Sequence, residues 1–144
     1  MELYHSPTPG DNTQLIREVI FLQTLSKIGT AEELVIASLR DDGTLHKPVT
    51  IWVVRLGDDL YVRSVNGRTS AWFRGVQARH EGHIQAGGVD KDVTFVDADP
   101  NLNDQINAAY RTKYRRYAAS IISHITSSGA RSATIKLVPR STSS

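Results

Sequence analysis

The stretch LYVRSVNGRTSAWFRGVQAR, residues 60–79, decides how the chain folds. Leu60 and Val62 alternate with Tyr61 and Arg63 at the period of a strand, and Asn66-Gly67 marks a turn. Ser70 then stands before a helical run that carries Trp72, Phe73 and Val76. Strand, turn and short helix in that order gather Arg63, Ser64, Arg68, Thr69 and Ser70 around the first N–H groups of the helix. Those groups have no partner within the helix and lie at the positive end of its dipole, so the turn is a candidate anion site, with phosphate the first guest to consider. The same spacing is also met if the arginines are solvated and the hydroxyls only cap the helix.

Outward from this stretch the chain reads as more strands. Residues 34–39 and 49–56 are β-branched apolar runs separated by Asp41-Asp42-Gly43, and Gly57-Asp58-Asp59 leads into Leu60, which predicts an antiparallel meander. Before it, Leu15, Ile16, Val19, Ile20, Leu22 and Leu25 form a helical stripe that stops near Gly29. After it, residues 83–86 and 93–96 flank the turn Gly87-Gly88-Val89-Asp90. Asp99 reads as an N-cap with Pro100 at the first helical position, opening one long helix to about Thr126. Gly129 ends that helix, and residues 134–138 give a sixth strand. The pattern predicts an α+β fold of six mostly antiparallel strands closing, or nearly closing, into a barrel. An N-terminal helix, a short helix after the third strand and a long C-terminal helix before the last strand complete it. Residues 13–140 form one domain in this reading, between a flexible arm at 1–12 and a disordered tail at 141–144.

Composition narrows the function. At 144 residues and 40% hydrophobic content the chain can bury one core but not two. The absence of cysteine excludes disulfides, thiolate chemistry and cysteine-held zinc, and fits a reducing compartment, so the cytoplasm is the expected location. No apolar run is long enough to cross a bilayer, and the opening segment has no leader pattern, so no membrane partner is expected. Seventeen basic against fifteen acidic residues leave a net charge of +2, too little to hold a polyanion, and no nucleic-acid partner is expected. His80 and His83 have no third ligand patterned around them, and His5, His46 and His124 are isolated, so no metal site is expected. Asp90, Asp92, Asp97 and Asp99 read as an exposed strand face followed by a helix cap. No nucleophile elbow, Walker loop or Rossmann glycine pattern occurs.

The segments PVTIWVVRLGDDLYVRS, NGRTSAWFRG, HIQAGGVDKDVTFV and AAYRTKYRRY resemble the signatures of the bacterial family known as domain of unknown function 2255. That family is in turn similar to the split β-barrel proteins that bind flavin mononucleotide or a deazaflavin. The resemblance implies a small-molecule oxidoreductase with the cofactor phosphate near Arg63, Ser64, Arg68, Thr69 and Ser70. It implies that strand residues 50–54, with Thr50, Trp52 and Val54, lie along the ring system while Trp52 or Trp72 walls the pocket. The apolar residues on the N-terminal helix and on the face from Tyr110 to Ile125, more than one small core needs, predict a homodimer. On the long helix, Tyr110, Tyr114 and Tyr117 share one face, with Lys113 beside it. Tyr114 and Lys113 are the candidate catalytic pair, able to orient a carbonyl or an acidic group of a substrate. Two other readings stay open. In one, a cofactor-free barrel binds or isomerises a small organic molecule through Tyr114 and Lys113; in the other, the chain is an interaction module without chemistry.

Overall fold

The computed structural model describes residues 9–140; the expected tail, 141–144, and residues 1–8 of the expected arm lie outside the described residues. Helix α1 spans Pro9–Thr30, so it begins inside the stretch read as an arm. Seven strands follow where the sequence predicts six. The extra one arises because residues 49–56 are two strands, β2 (Val49–Ile51) and β3 (Val53–Leu56), divided at Trp52. With β1 (Leu34–Ser38), β4 (Asp59–Arg63), β5 (Glu81–Ala86), β6 (Val89–Asp97) and β7 (Thr134–Pro139), they form one sheet in the order β2-β1-β5-β6-β7-β4-β3. Every neighbouring pair is antiparallel. The two terminal strands of that order are consecutive in the chain, so one segment leaves the first edge of the sheet at Ile51 and joins the last edge at Val53. A sheet whose two edges are a single residue apart is a nearly closed barrel.

Strand alternation fills this barrel. Leu34, Ile36, Val53, Leu60, Val62, Ile84, Val93, Phe95, Ile135 and Leu137 are all buried in one apolar cluster. Leu25 and Ile28 of α1 join it, as do Phe73 and Val76 of the short helix α2 (Ala71–Arg79), so helices close what the strands leave open. A second apolar cluster lies outside the sheet, where Ile106, Tyr110 and Tyr114 pack on Val54 and Tyr61. The predicted long helix is divided. A 3-10 turn (Pro100–Leu102), capped by the Asp99 carboxylate accepting from Asn101 N–H, opens into α3 (Asn103–Lys113). A bend at residues 114–118 separates α3 from α4 (Ala119–Ile125), and α5 (Ser128–Ser132) follows. Local propensity would carry one helix through. Two tertiary contacts oppose it: Tyr117 turns back to Glu32, and the Ile125 carbonyl reaches Arg63 at 3.1 Å.

Barrel closure requires a glycine at position 82. A methyl group there would stand 2.2 Å from the Ala37 carbonyl oxygen and 2.8 Å from the Phe95 ring. Gly82→Ala is therefore expected to destabilise the fold by about 3 kcal/mol, the upper part of the range for overpacking. A lower urea midpoint at unchanged slope is the check.

Candidate functional site

The crossover at Trp52 and Val53 is held by α3 and the residue that ends it. Tyr114 is fully buried; its hydroxyl accepts from Val53 N–H at 3.3 Å and donates to the Glu32 carbonyl at 2.8 Å. Lys113 Nζ donates to the Val53 carbonyl at 2.6 Å. The Tyr114 ring stacks on Trp52 with centroids 3.8 Å apart and planes 2° from parallel, and Tyr117 meets Trp52 edge-on. Glu32 accepts from Tyr117 and Arg116, which hold its carboxyl below its usual range. Burial pushes the Tyr114 phenol upward, so it stays protonated. Burial also lowers Lys113 from 10.5 to about 8, only partly offset by the Glu32 charge.

Beside this crossover lies a cavity of about 360 Å³. Val49, Thr50 and Ile51 form one wall; β2 is a terminal strand, so one side of its backbone has no ladder partner. Trp52, Trp72, Ile121 and Ile125 supply apolar surface, and Arg63, Ser64, Asn66 and Ser70 supply polar groups. Among the described residues no acidic one lines it. Ser64 and Ser70 hydroxyls bond each other at 2.7 Å, so Ser70, at the N-cap position of α2, makes no capping bond and leaves the first turn of α2 uncapped.

Arg63 is only 1% exposed. Its Nε donates to Thr134 Oγ1 at 2.9 Å, and Nη1 donates to the Asn107 side-chain oxygen and the Ile125 carbonyl. Its Nη2 donates to the Asn103 carbonyl and side-chain oxygens at 3.2 Å, and the guanidinium lies 5.4 Å from the Tyr110 ring centroid. Every acceptor is neutral. Burial lowers its pKa to about 10, which still leaves a full positive charge at neutral pH. Among the described residues no carboxylate offsets that charge.

The structure thus brings together Thr50, Trp52, Arg63, Ser64, Ser70 and Trp72 of the sequence-predicted set. It sends the others elsewhere. Val54 is buried in the outer cluster beneath α3. Arg68 donates to the Ser132 carbonyl at 2.7 Å with its guanidinium over the Phe73 ring, and Thr69 is exposed away from the cavity. Tyr114 reaches the cavity only through Trp52, and Lys113 borders a different, open hollow with Arg55 and Thr112. Asn103, Asn107, Ile121 and Ile125 were not expected. Asn103 and Asn107 fall four residues apart on the face that carries Tyr110, and polar residues on an apolar helix face were the available signal. His83 lies between Asp90 and Asp92, which hold its pKa above the usual value; no metal-holding cluster occurs among the described residues. Among those residues, no helix is long and apolar enough to cross a membrane.

A family model described as uncharacterized protein conserved in bacteria (DUF2255) matches residues 24–137. Solved structures with this fold include a Listeria innocua protein classed with the pyridoxamine 5′-phosphate oxidases. It is 14% identical, covers 85% of this chain and 94% of its own, and has a TM-score of 0.59. The conserved hypothetical protein Rv2991 of Mycobacterium tuberculosis is 10% identical over 83% of this chain and 80% of its own, also at 0.59. General Stress Protein 26 of Bacillus anthracis is 15% identical over 81% and 87%, at 0.50. At these identities the likeness is one of fold. No protein in the curated set matches the chain.

Removing the Tyr114 hydroxyl keeps the stacked ring but leaves Val53 N–H and the Glu32 carbonyl without this partner. Tyr114→Phe is expected to cost about 1–3 kcal/mol, read from denaturant melts. A second outcome concerns pH. With Lys113 at about 8 in the fold and 10.5 as its ordinary value, the unfolded chain binds more protons between those limits, so this residue makes stability rise with pH across that window. Lys113→Met is expected to abolish that rise in melts taken from pH 8 to 10.5.

Proposed function

Because the chain belongs to the DUF2255 family and has the fold of the pyridoxamine 5′-phosphate oxidase-like barrels, we propose that it binds a phosphorylated flavin or deazaflavin in the cavity beside β2 and supports a redox step on a small organic molecule. The observation that carries this reading is the buried Arg63 charge, which has only neutral acceptors and lies in the wall of a cavity that no carboxylate lines among the described residues. A buried cation without a counter-charge is costly, and an anion in the cavity would offset it. The donor set fits a phosphomonoester: beside Arg63 stand two hydroxyls, Ser64 and Ser70, and the uncapped first turn of α2.

The rest of the cavity suits a planar ring. Trp52 and Trp72 offer flat apolar walls, and the unpaired side of β2 at Thr50 offers backbone donors and acceptors to a ring edge. Val49 and Trp72 also border an adjoining hollow of about 400 Å³ that holds Ser38, His46 and Lys47, which gives a long ligand or a substrate room to extend. The bound flavin or deazaflavin would supply the hydride or electron transfer. The protein's own residues bind, orient and exclude water: the two serines and the first turn of α2 would hold the phosphate end, Arg63 acts on it through its charge because its N–H groups are already bonded to protein oxygens, and the tryptophans shield the ring. Tyr114 is a positioning residue. It acts through Trp52, and carbonyl chemistry at its hydroxyl would first have to break its bonds to Val53 and Glu32.

The assembly in this reading is a homodimer. On α1, Leu15, Val19 and Leu22 share the face turned away from the barrel, and each is 47–54% exposed. An apolar helix face of this kind is covered most simply by its own copy across a two-fold axis. A domain-swapped dimer with this fold, at TM-score 0.55, lends the idea support.

Flavin mononucleotide is expected to bind at least about tenfold more tightly than riboflavin, which lacks the phosphate, with Ser70→Ala removing about tenfold from the first and nothing from the second. Equal affinities in a fluorescence titration would overturn the anion site. Light scattering at micromolar concentration is expected to return twice the 15.9 kDa chain mass, and a monomer mass would overturn the dimer.

A further inference from the structure

A second cavity, of about 380 Å³, lies at the other end of β4: it takes Asp59 and Leu60, where the cavity beside β2 takes Arg63 and Ser64. It is the mouth of the barrel, roofed by α1. Arg17, Phe21, Thr24 and Ile28 follow one another at helical spacing on the side of α1 opposite Leu15, Val19 and Leu22, and all four line the mouth. The floor is apolar, made of the barrel residues Leu60, Ile84, Val93 and Leu137.

One residue breaks that apolar pattern. By alternation Lys91 shares the row of β6 that carries Val89, Val93 and Phe95, and it stands opposite the buried Ile84 in the β5–β6 ladder, with its side chain exposed at the rim of the mouth. A charge on such a row often keeps an edge strand from pairing with another chain, but β6 is central, paired on both sides. The charges at the rim also do not balance. Asp58 pairs with Arg55 at 3.6 Å and Asp59 with Lys136 at 3.8 Å, so each carboxylate of the mouth already has a cation beside it. Among the described residues no carboxylate pairs with Arg17 or Lys91. An apolar chamber whose lining carries three cations, Arg17, Lys91 and Lys136, against the two carboxylates Asp58 and Asp59 is complementary to a molecule with an apolar body and one anionic head.

We propose that the barrel mouth under α1 is a binding site for an amphipathic monocarboxylate, its alkyl or aryl body against Phe21, Ile28 and Ile84 and its carboxylate on Lys91 and Arg17. The site is independent of the flavin reading. Its stem lets Lys91 lie along the apolar wall with its ammonium at the rim, where a carboxylate can reach it.

Isothermal titration of the full chain with decanoate and with decanol, which keeps the tail but not the charge, tests this. One decanoate per chain is expected, with decanol at least about tenfold weaker. Lys91→Gln is expected to weaken decanoate about tenfold and leave decanol and flavin mononucleotide unchanged, and Thr24→Trp, which fills the mouth, to abolish decanoate binding. Decanoate binding no better than decanol, insensitive to Lys91→Gln, or persisting in a folded Thr24→Trp protein would overturn the proposal. So would a failure of decanoate to bind at all, the result expected if a second copy of the chain already fills the mouth.

Discussion

The bonds that Tyr114 and Lys113 make to the backbone of Val53 are the constraint on which the rest of the molecule depends. Residues 49–56 must serve both edges of one sheet, and the backbone at the crossover has left one strand partner before it is fully engaged by the next. Val53 is completely buried, so water cannot satisfy its N–H and carbonyl there. The side chains of α3 do so instead, and the same contacts stack Tyr114 on Trp52 and bring the turn before β1 into the outer layer through Glu32. Closure of the barrel and placement of α3 are therefore one event.

Arg63 ties the site to that event. Its guanidinium gathers oxygens from Asn103 and Asn107 on α3, from Ile125 at the end of α4, and from Thr134 at the start of β7. All are neutral, so the residue holds four segments together without losing its charge. A carboxylate in the same place would stabilise the apo protein and extinguish the field in the cavity. Leaving the charge uncompensated costs stability, and in the proposed reading it is what an anion in the cavity would offset, the trade expected where a buried titratable group serves a site.

Much of this was legible in the chain. Period-two alternation marked strands β4 and β7, a β-branched apolar run marked β1, the turn beginning at Gly87-Gly88 marked β5 and β6 on its two sides, and Asp99-Pro100 marked the start of the helical segment, because each rests on local chemistry. The split at Trp52 was not legible: a run of β-branched residues reads the same whether it keeps one partner or changes edges. The break after Lys113 was hidden for a related reason, since Tyr114, Tyr117, Ile121 and Ile125 keep helical spacing while long-range bonds to Glu32 and Arg63 bend the backbone. For the site, the turn at residues 63–70 was found from its donors, but sequence could not tell which arginine turns inward. Arg63 is on the strand and is buried, whereas Arg68, one residue past the glycine, finds a carbonyl on the surface at Ser132. Lys91 was passed over because it stands between Asp90 and Asp92 in a segment read as an exposed face; all three are exposed, and only the fold shows that Lys91 borders the barrel mouth.

The two cavities divide the barrel between them, one under Arg63 and the other under α1, each bordered by a cation that has no carboxylate partner among the described residues. The first can be questioned directly through the ligand. A free phosphomonoester loses its second proton near pH 6, and its phosphorus resonance moves as it does so. In a phosphorus NMR titration of flavin mononucleotide bound to the protein, a phosphate facing the buried Arg63 charge is expected to remain dianionic to at least about one pH unit lower than in free solution. A bound phosphate that titrates as it does in water, or protonates more readily, would contradict the site.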